Sequence, residues 1–160
     1  MQVPSIKFEY INVFNEYEIK RIFSFLQEIN DDFVPPLDQK VNLEQYASKL
    51  LKNAVVYVAV EGHKIVGLIA FYCNNLGKKE AYIPILGVHK NHRAQGIGGN
   101  LLKNAIKHMK SKGFLEVRLE TWENSSALNL YLKNGFEIED IIKDRPGDIR
   151  SVKMKLRLYK

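Results

Sequence analysis

Residues 81–109 read AYIPILGVHKNHRAQGIGGNLLKNAIKHM, and their centre, His92-Arg93-Ala94-Gln95-Gly96-Ile97-Gly98-Gly99, decides how the rest of the chain is read. Before the centre, Ala81 to Val88 is an apolar run of strand length; after it, Leu101, Leu102, Ala105, Ile106 and Met109 recur at helical spacing on one face. The segment is therefore a glycine-rich strand-to-helix connection. Glycines let a backbone come close to a ligand, the first N–H groups of a helix have no internal acceptors, and the helix dipole adds positive potential. Such a turn suits an anionic group such as a pyrophosphate. The same glycines would also serve a tight connection that binds nothing, and the turn alone does not separate the two. Two other phosphate patterns fail, because the dinucleotide fingerprint needs glycine where Leu101 stands and the Walker pattern beginning at Gly62 needs lysine where Leu68 stands.

Working outward, Ile6 to Ile11 alternates Ile6, Phe8 and Tyr10 with Lys7 and Glu9, the period of a half-buried strand. From Glu16, the residues Ile19, Ile22, Phe23, Leu26 and Ile29 form one helical stripe toward Asn30. Asp31, Asp32 and Pro35-Pro36 stop it, and Asn42 caps a second helix carrying Leu43, Tyr46, Ala47, Leu50 and Leu51. Ala54 to Val60 and Ile65 to Cys73 are β-branched and aromatic runs joined by Glu61-Gly62-His63-Lys64, which predicts a hairpin. A polar turn over Asn74 to Lys79 leads into the central run, and Gly113 closes the helix that follows it. Leu115 to Thr121 reads as a strand and Ser125 to Asn134 as a short helix closed by Gly135. Phe136 to Ile142 and Ile149 to Leu158 read as two last strands around a turn at Asp144 to Asp148. The predicted order is β-α-α-β-β-β-α-β-α-β-β, without repeats or linkers.

The chain has 160 residues, 46% of them apolar and 26% charged, which suits one globular domain over residues 1–160 and excludes a disordered or collagen-like chain. Lys and Arg exceed Asp and Glu by 24 to 18, a net charge of +6 that favours a polyanionic partner such as nucleic acid, an anionic membrane or a phosphorylated cofactor. Cys73 is the single cysteine, so neither an intramolecular disulfide nor a zinc ribbon can form, and a cytoplasmic setting is expected. Met1 to Lys7 lacks the pattern of a signal peptide, and no apolar run reaches the length of a membrane span.

A second segment narrows the choice. Asn124-Ser125-Ser126-Ala127-Leu128-Asn129-Leu130-Tyr131, followed by Asn134-Gly135-Phe136, places a polar cap before a helix and a tyrosine two turns inside it. The two segments together resemble the acyl-CoA-binding core of the GNAT superfamily of N-acetyltransferases. The family pattern Arg/Gln-x-x-Gly-x-Gly/Ala matches Arg93-Ala94-Gln95-Gly96-Ile97-Gly98, and its later Asn, Ala, Leu-Tyr and Gly-Phe match Asn124, Ala127, Leu130-Tyr131 and Gly135-Phe136. The resemblance is specific over residues 80–140. It implies an α/β (α+β) fold, a mixed central sheet of about seven strands flanked by four helices, and the element order already read agrees with it.

The resemblance also implies a chemistry: direct transfer of an acetyl group from acetyl-CoA to an amine in a ternary complex, with no metal. Leu86, Gly87 and Val88 would offer backbone groups to the pantetheine arm, and Arg93, Ala94, Gln95, Gly96, Ile97, Gly98 and Gly99 would hold the pyrophosphate. Asn124 and Ala127 match the far side of the channel, and Tyr131 matches the tyrosine beside the sulfur. Lys90, Arg93 and Lys103 give the basic excess a use. An alkyl ammonium of pKa about 10.4 is neutral only to about 0.04% at pH 7, so a base or water relay helps. The glutamate that some members carry on the central strand is Tyr82 here, which leaves Glu120 and Glu80 as candidate bases.

The acceptor pocket of the family involves the first two helices and their loop, so Asp31, Asp32 and Phe33, with Tyr82, are the expected substrate-binding residues. Residues 33–50 look similar to bacterial members associated with surface-polysaccharide genes, which points to a nucleotide-linked amino sugar among small-molecule amines. A protein or peptide amine acetyltransferase and a non-catalytic acyl-CoA sensor are the alternatives, and Tyr131 favours turnover. A nucleic-acid module would cluster its basic residues, whereas these are scattered among 18 acidic ones, so neither nucleic acid nor membrane is an expected partner. Self-association as a homodimer stays open. His89 and His92 lack a third ligand and read as surface histidines, and Cys73 reads as a small core side chain.

Overall fold

In the computed structural model of the chain, residues 5–143 and 149–159 are described; the turn expected at Asp144 to Asp148 lies outside them. Among the described residues the chain runs β1 (Ile6–Ile11), α1 (Glu16–Ile29), α2 (Leu43–Asn53), β2 (Val55–Glu61), β3 (Lys64–Asn75), β4 (Glu80–Val88), α3 (Ile97–Ser111), β5 (Glu116–Trp122), α4 (Leu128–Lys133), β6 (Glu137–Ile142) and β7 (Ser151–Arg157). That is the order expected from the sequence, with 3-10 turns added at Asn30–Asp32, Leu37–Gln39 and Lys90–His92. The strands are hydrogen-bonded in the order β1-β2-β3-β4-β5-β7-β6. β4 and β5 are parallel, whereas β1–β2, β5–β7 and β6–β7 are antiparallel, so the sheet is mixed.

By Cα packing the described chain divides into two compact units, one made of residues up to Ala70 with Ile85–Ala105, the other of Phe71–Pro84 with residues from Ile106 onward. In the first unit, the Asn15 side chain accepts the Glu18 N–H at 2.8 Å and caps α1, and Asn42 does the same for α2 through the Gln45 N–H at 2.9 Å. The α1 stripe buries Ile22, Phe25, Leu26 and Ile29, and α2 buries Ala47, Leu50 and Leu51. Two glycines set how closely helices approach strands. A Cβ on Gly87 of β4 would stand 2.6 Å from Ile29 Cδ1 of α1, and one on Gly67 of β3 would stand 2.8 Å from Ile97 Cγ2 and 3.2 Å from Leu101 Cδ1 of α3. Each helix uses the space a side chain would fill.

In the second unit, β4 pairs with β5 from Glu80↔Glu116 to Ile83↔Leu119, and this register stops at Pro84, which has no N–H to donate. Phe71, Phe114, Met109, Val117, Val152 and Met154 are buried there. α4 is shorter than the sequence pattern suggests. Residues 125–127 instead make a turn, in which the Ser125 N–H donates to the Trp122 carbonyl at 3.0 Å and the Ala127 N–H donates to Ser125 Oγ at 3.1 Å. Gly113 and Gly135, at φ +80 and +94, end α3 and α4 in the left-handed conformation expected of them.

The Gly87 contact generates a stability prediction. Gly87→Ala is expected to cost about 1–2 kcal/mol because Ile29 is fully enclosed and has little room to shift. Ile29→Val removes the clashing methyl, so the double variant should lose less than the two single losses added together. Urea unfolding of the four proteins measures this coupling.

Candidate active site

The first unit holds the glycine turn. The Val66 carbonyl accepts the His89 N–H at 2.8 Å just past the end of β4, and a 3-10 turn over Lys90–His92 follows. The chain then passes through two left-handed residues, Ala94 at φ +63 and Gly96 at φ +78. For alanine this conformation costs on the order of 1 kcal/mol, which surrounding contacts must offset. The first α3 bond runs from the Asn100 N–H to the Gly96 carbonyl at 3.0 Å. The amides of Ile97, Gly98 and Gly99 therefore precede any carbonyl of the helix that could accept them. Of the other sequence candidates, Gln95 and Gly96 are exposed, Leu86 is buried, and Gly87 and Val88 are half-buried.

Three side-chain contacts to carboxylates brace this turn. Arg93 donates through Nε to the Val88 carbonyl at 3.2 Å and through a terminal nitrogen to Asp32 Oδ2 at 2.8 Å. A residue expected at the cofactor is thus joined to one expected at the acceptor. His92 Nε2 lies 2.8 Å from Glu61 Oε2, and His89 Nε2 lies 3.2 Å from Glu28 Oε2, with the two imidazoles edge to face. The histidines read as surface groups are instead braces, their side chains only 14% and 18% exposed. In the loop expected on the acceptor side, the Asn30 side chain donates to Asp31 at 3.2 Å and accepts the Asp38 N–H at 2.8 Å, while Phe33 is half-buried.

The second unit holds the remaining candidates. Tyr131 on α4 is buried, with its ring 5.5 Å from that of Phe136. Burial, and then the neighbouring Tyr82, push its phenol well above the usual tyrosine range. Tyr82 on β4 is 41% exposed, and its own pKa is raised by burial and by the negative charge of Glu120. Tyr82 therefore lies within electrostatic reach of both Tyr131 and Glu120. Glu80 stands apart: Arg118 donates to it at 2.6 Å and also pairs with Glu116 at 3.0 Å and Glu139 at 3.1 Å. These carboxylates raise the Arg118 pKa further above its already high value, so the guanidinium stays charged and keeps Glu80 engaged. Asn124 is exposed and Ala127 half-buried at the turn before α4, where Ser125, not Asn124, supplies the turn hydroxyl.

Sequence reasoning missed the Arg93–Asp32, His92–Glu61 and Arg118–Glu139 contacts, whose partners are 61, 31 and 21 residues apart with no local pattern to link them. Cys73 is half-buried, and burial pushes its thiol up to about 11. Among the described residues no cluster of three metal-ligating side chains occurs, and no helix is long and apolar enough to cross a membrane.

Tyr131 has a measurable linkage to pH. Its folded-state pKa exceeds the usual value of about 10, so its contribution to stability is complete below that pH. Above it, the unfolded chain loses the proton first and stability falls, by up to about 1.4 kcal/mol per pH unit for one group. Tyr57, Tyr72 and Tyr82 are raised as well and are retained in Tyr131→Phe. Unfolding midpoints across the alkaline range should therefore fall more steeply for the natural protein than for that variant.

The sequence model of the Acetyltransferase (GNAT) family matches residues 22–136. An uncharacterised N-acetyltransferase of Methanocaldococcus jannaschii is 36% identical over 104 residues, covering 61% of this chain and 44% of that protein. The spermidine N(1)-acetyltransferase of Thermoplasma acidophilum is 38% identical over 74 residues, 46% of each chain. The matched stretch thus spans less than half the length of these curated relatives. Among solved structures, a chain of the NatC complex bound to Gag peptide and CoA has a TM-score of 0.73 at 25% identity, covering 96% of this chain and 99% of that one. With a match that takes in the glycine turn, Tyr131 and Phe136, on a mixed sheet of the same architecture, this chain belongs to the GNAT acetyltransferase family.

Proposed function

We propose that this chain is an acetyl-CoA-dependent N-acetyltransferase, one catalytic domain over residues 1–160, acting on the primary amine of a small molecule. The start of α3 carries the reading. Two left-handed residues, Ala94 and Gly96, lead into the amides of Ile97, Gly98 and Gly99, which have no preceding carbonyl of the helix to bind. A pyrophosphate would satisfy such a row of donors, and Lys90 and Arg93 add positive charge beside it. A ligand needing close backbone approach also fits Gly96, where no heavy atom comes within 4 Å of an added Cβ. Acetyl-CoA supplies the acetyl thioester that the amine displaces, releasing the free thiol.

The roles of the chain's own groups follow from their surroundings. Leu86, Gly87 and Val88 lie past the point where Pro84 ends pairing with β5, and supply backbone groups along the pantetheine arm. Asn124 and Ala127, before α4, are the further residues assigned to the cofactor. Tyr131 holds its proton firmly at neutral pH and donates a hydrogen bond to the departing sulfur. Its raised pKa means the proton is shared as charge develops and is not surrendered beforehand. Glu120 takes the amine proton directly or through water beside Tyr82. It is preferred to Glu80 because its charge reaches Tyr82, the neighbour of Tyr131. Asp31, Asp32 and Phe33 belong to the acceptor side, with Asp32 partly neutralised by Arg93.

Polyamines and nucleotide-linked amino sugars are the leading small acceptors, the former because a spermidine acetyltransferase is among the relatives. A peptide amine is the second reading, favoured by the likeness to a chain of the NatC complex solved with Gag peptide and CoA. Free-thiol release from acetyl-CoA, screened against polyamines, amino sugars, amino acids and peptides, tests the proposal. No thiol release with any amine, together with no thermal shift on adding acetyl-CoA, would reject it. Tyr131→Phe should lower kcat by about 10- to 100-fold with little change in KM for acetyl-CoA. Glu120→Gln should lower kcat by about 100-fold, whereas Glu80→Gln should leave it nearly unchanged.

A further inference from the structure

We propose that this protein self-associates through the open edge of β1, two copies joining their sheets about a two-fold axis at Phe8. β1 ends the strand order, and its described pairing is with β2 alone, from Ile6↔Glu61 to Ile11↔Val56. Edge strands are commonly guarded by charges, bulges or covering loops, because their unpaired N–H and C=O groups can template another strand. β1 is guarded weakly. Lys7, Phe8, Glu9 and Tyr10 are all exposed, Phe8 and Tyr10 by 38% and 47%. The Tyr10 ring stacks on Tyr57 of β2 at 5.0 Å, which extends an aromatic surface from the edge inward.

The occupant is decided by the strand's own sequence, Ile6-Lys7-Phe8-Glu9-Tyr10-Ile11. When two copies pair antiparallel with matching sheet faces, opposite residues must share parity, so the two-fold axis falls on a residue. An axis at Lys7 sets lysine against lysine, and one at Glu9 sets glutamate against glutamate. An axis at Phe8 sets Lys7 opposite the second copy's Glu9 twice on one face. On the other face it sets Ile6 opposite Tyr10 twice and Phe8 opposite Phe8. Opposite charges and apolar pairs facing across strands are the stabilising combinations, and like charges the destabilising ones. Arg21 also lies 3.5 Å from Glu9, but its closer partner is Glu18 at 2.8 Å.

The other sheet edge lacks this property. β6 reads Glu137-Ile138-Glu139-Asp140-Ile141-Ile142, and its pairing with β7 shifts register between Ile138 and Asp140. Face-matched self-pairing centred on Ile138, Glu139 or Asp140 sets acid against acid. β1 is thus the self-complementary edge. Five paired strand residues per copy, Ile6 to Tyr10, make a contact smaller than a standard interface of roughly 1,600 Å², so the dimer should dissociate on dilution.

Sedimentation equilibrium of the full chain, from low to high micromolar concentration, should show a reversible monomer–dimer equilibrium. Lys7→Glu and Glu9→Lys each place like charges opposite one another twice, and each variant alone should be monomeric, with circular dichroism confirming the fold. Mixing these two variants should restore a heterodimer, because every opposed pair then has opposite sign, and Lys7→Glu combined with Glu9→Lys should restore the homodimer. A natural protein that stays monomeric throughout overturns the proposal. So does a dimer unaffected by the single variants, or an equimolar mixture that fails to associate although both variants are folded.

Discussion

The chain has to leave β4 and enter α3 within eight residues, and that constraint organises the first unit. The path needs left-handed backbone at Ala94 and Gly96, which turns the amides of Ile97, Gly98 and Gly99 out of the helix start. A conformation that alanine disfavours persists only where neighbours over-determine it. Here they do. Ile97 and Leu101 enter the space left by Gly67, while His89, His92 and Arg93 tie the turn to Glu28, Glu61 and Asp32. The donors at the helix start are therefore held before any ligand arrives, which lowers the ordering cost that binding would otherwise meet.

In the second unit, burial does two opposed things to chemistry. It keeps the Tyr131 phenol protonated over the whole neutral range, and it makes that proton harder to give up. In the role proposed for Tyr131, such a donor acts by hydrogen bonding to charge as it forms, which suits a thiolate leaving group whose own pKa is about 8.5. The two candidate bases differ in a way that sequence position did not suggest. Glu80 belongs to a carboxylate cluster organised by Arg118, and Glu120 acts on Tyr82.

Most elements were legible because each depends on local periodicity and local caps. Asn15 and Asn42 cap helices by bonding amides three residues on, and β1 forms over the expected Ile6–Ile11, although Phe8 and Tyr10, expected on its buried face, are exposed. The short α4 was misjudged at its start because Ser125 can satisfy either a helix cap or a turn, and only the Trp122 carbonyl beside it settles the choice. His89 and His92 were misread for a different reason. An isolated histidine looks like a surface group until a carboxylate from a distant strand or helix encloses it, and Glu28 and Glu61 do so here.

By itself, the amino-acid sequence determined the order of elements, the glycine turn and the tyrosine helix, and through them the family. Those features are written in contiguous residues, where backbone conformation and apolar period act over a few positions. Tertiary structure alone decided which polar groups meet: Arg93 with Asp32, Arg118 with three glutamates, and the Glu120 charge with the Tyr82 phenol. Electrostatic interactions depend on distance in space, and that distance is set only when strands from separate parts of the chain lie side by side.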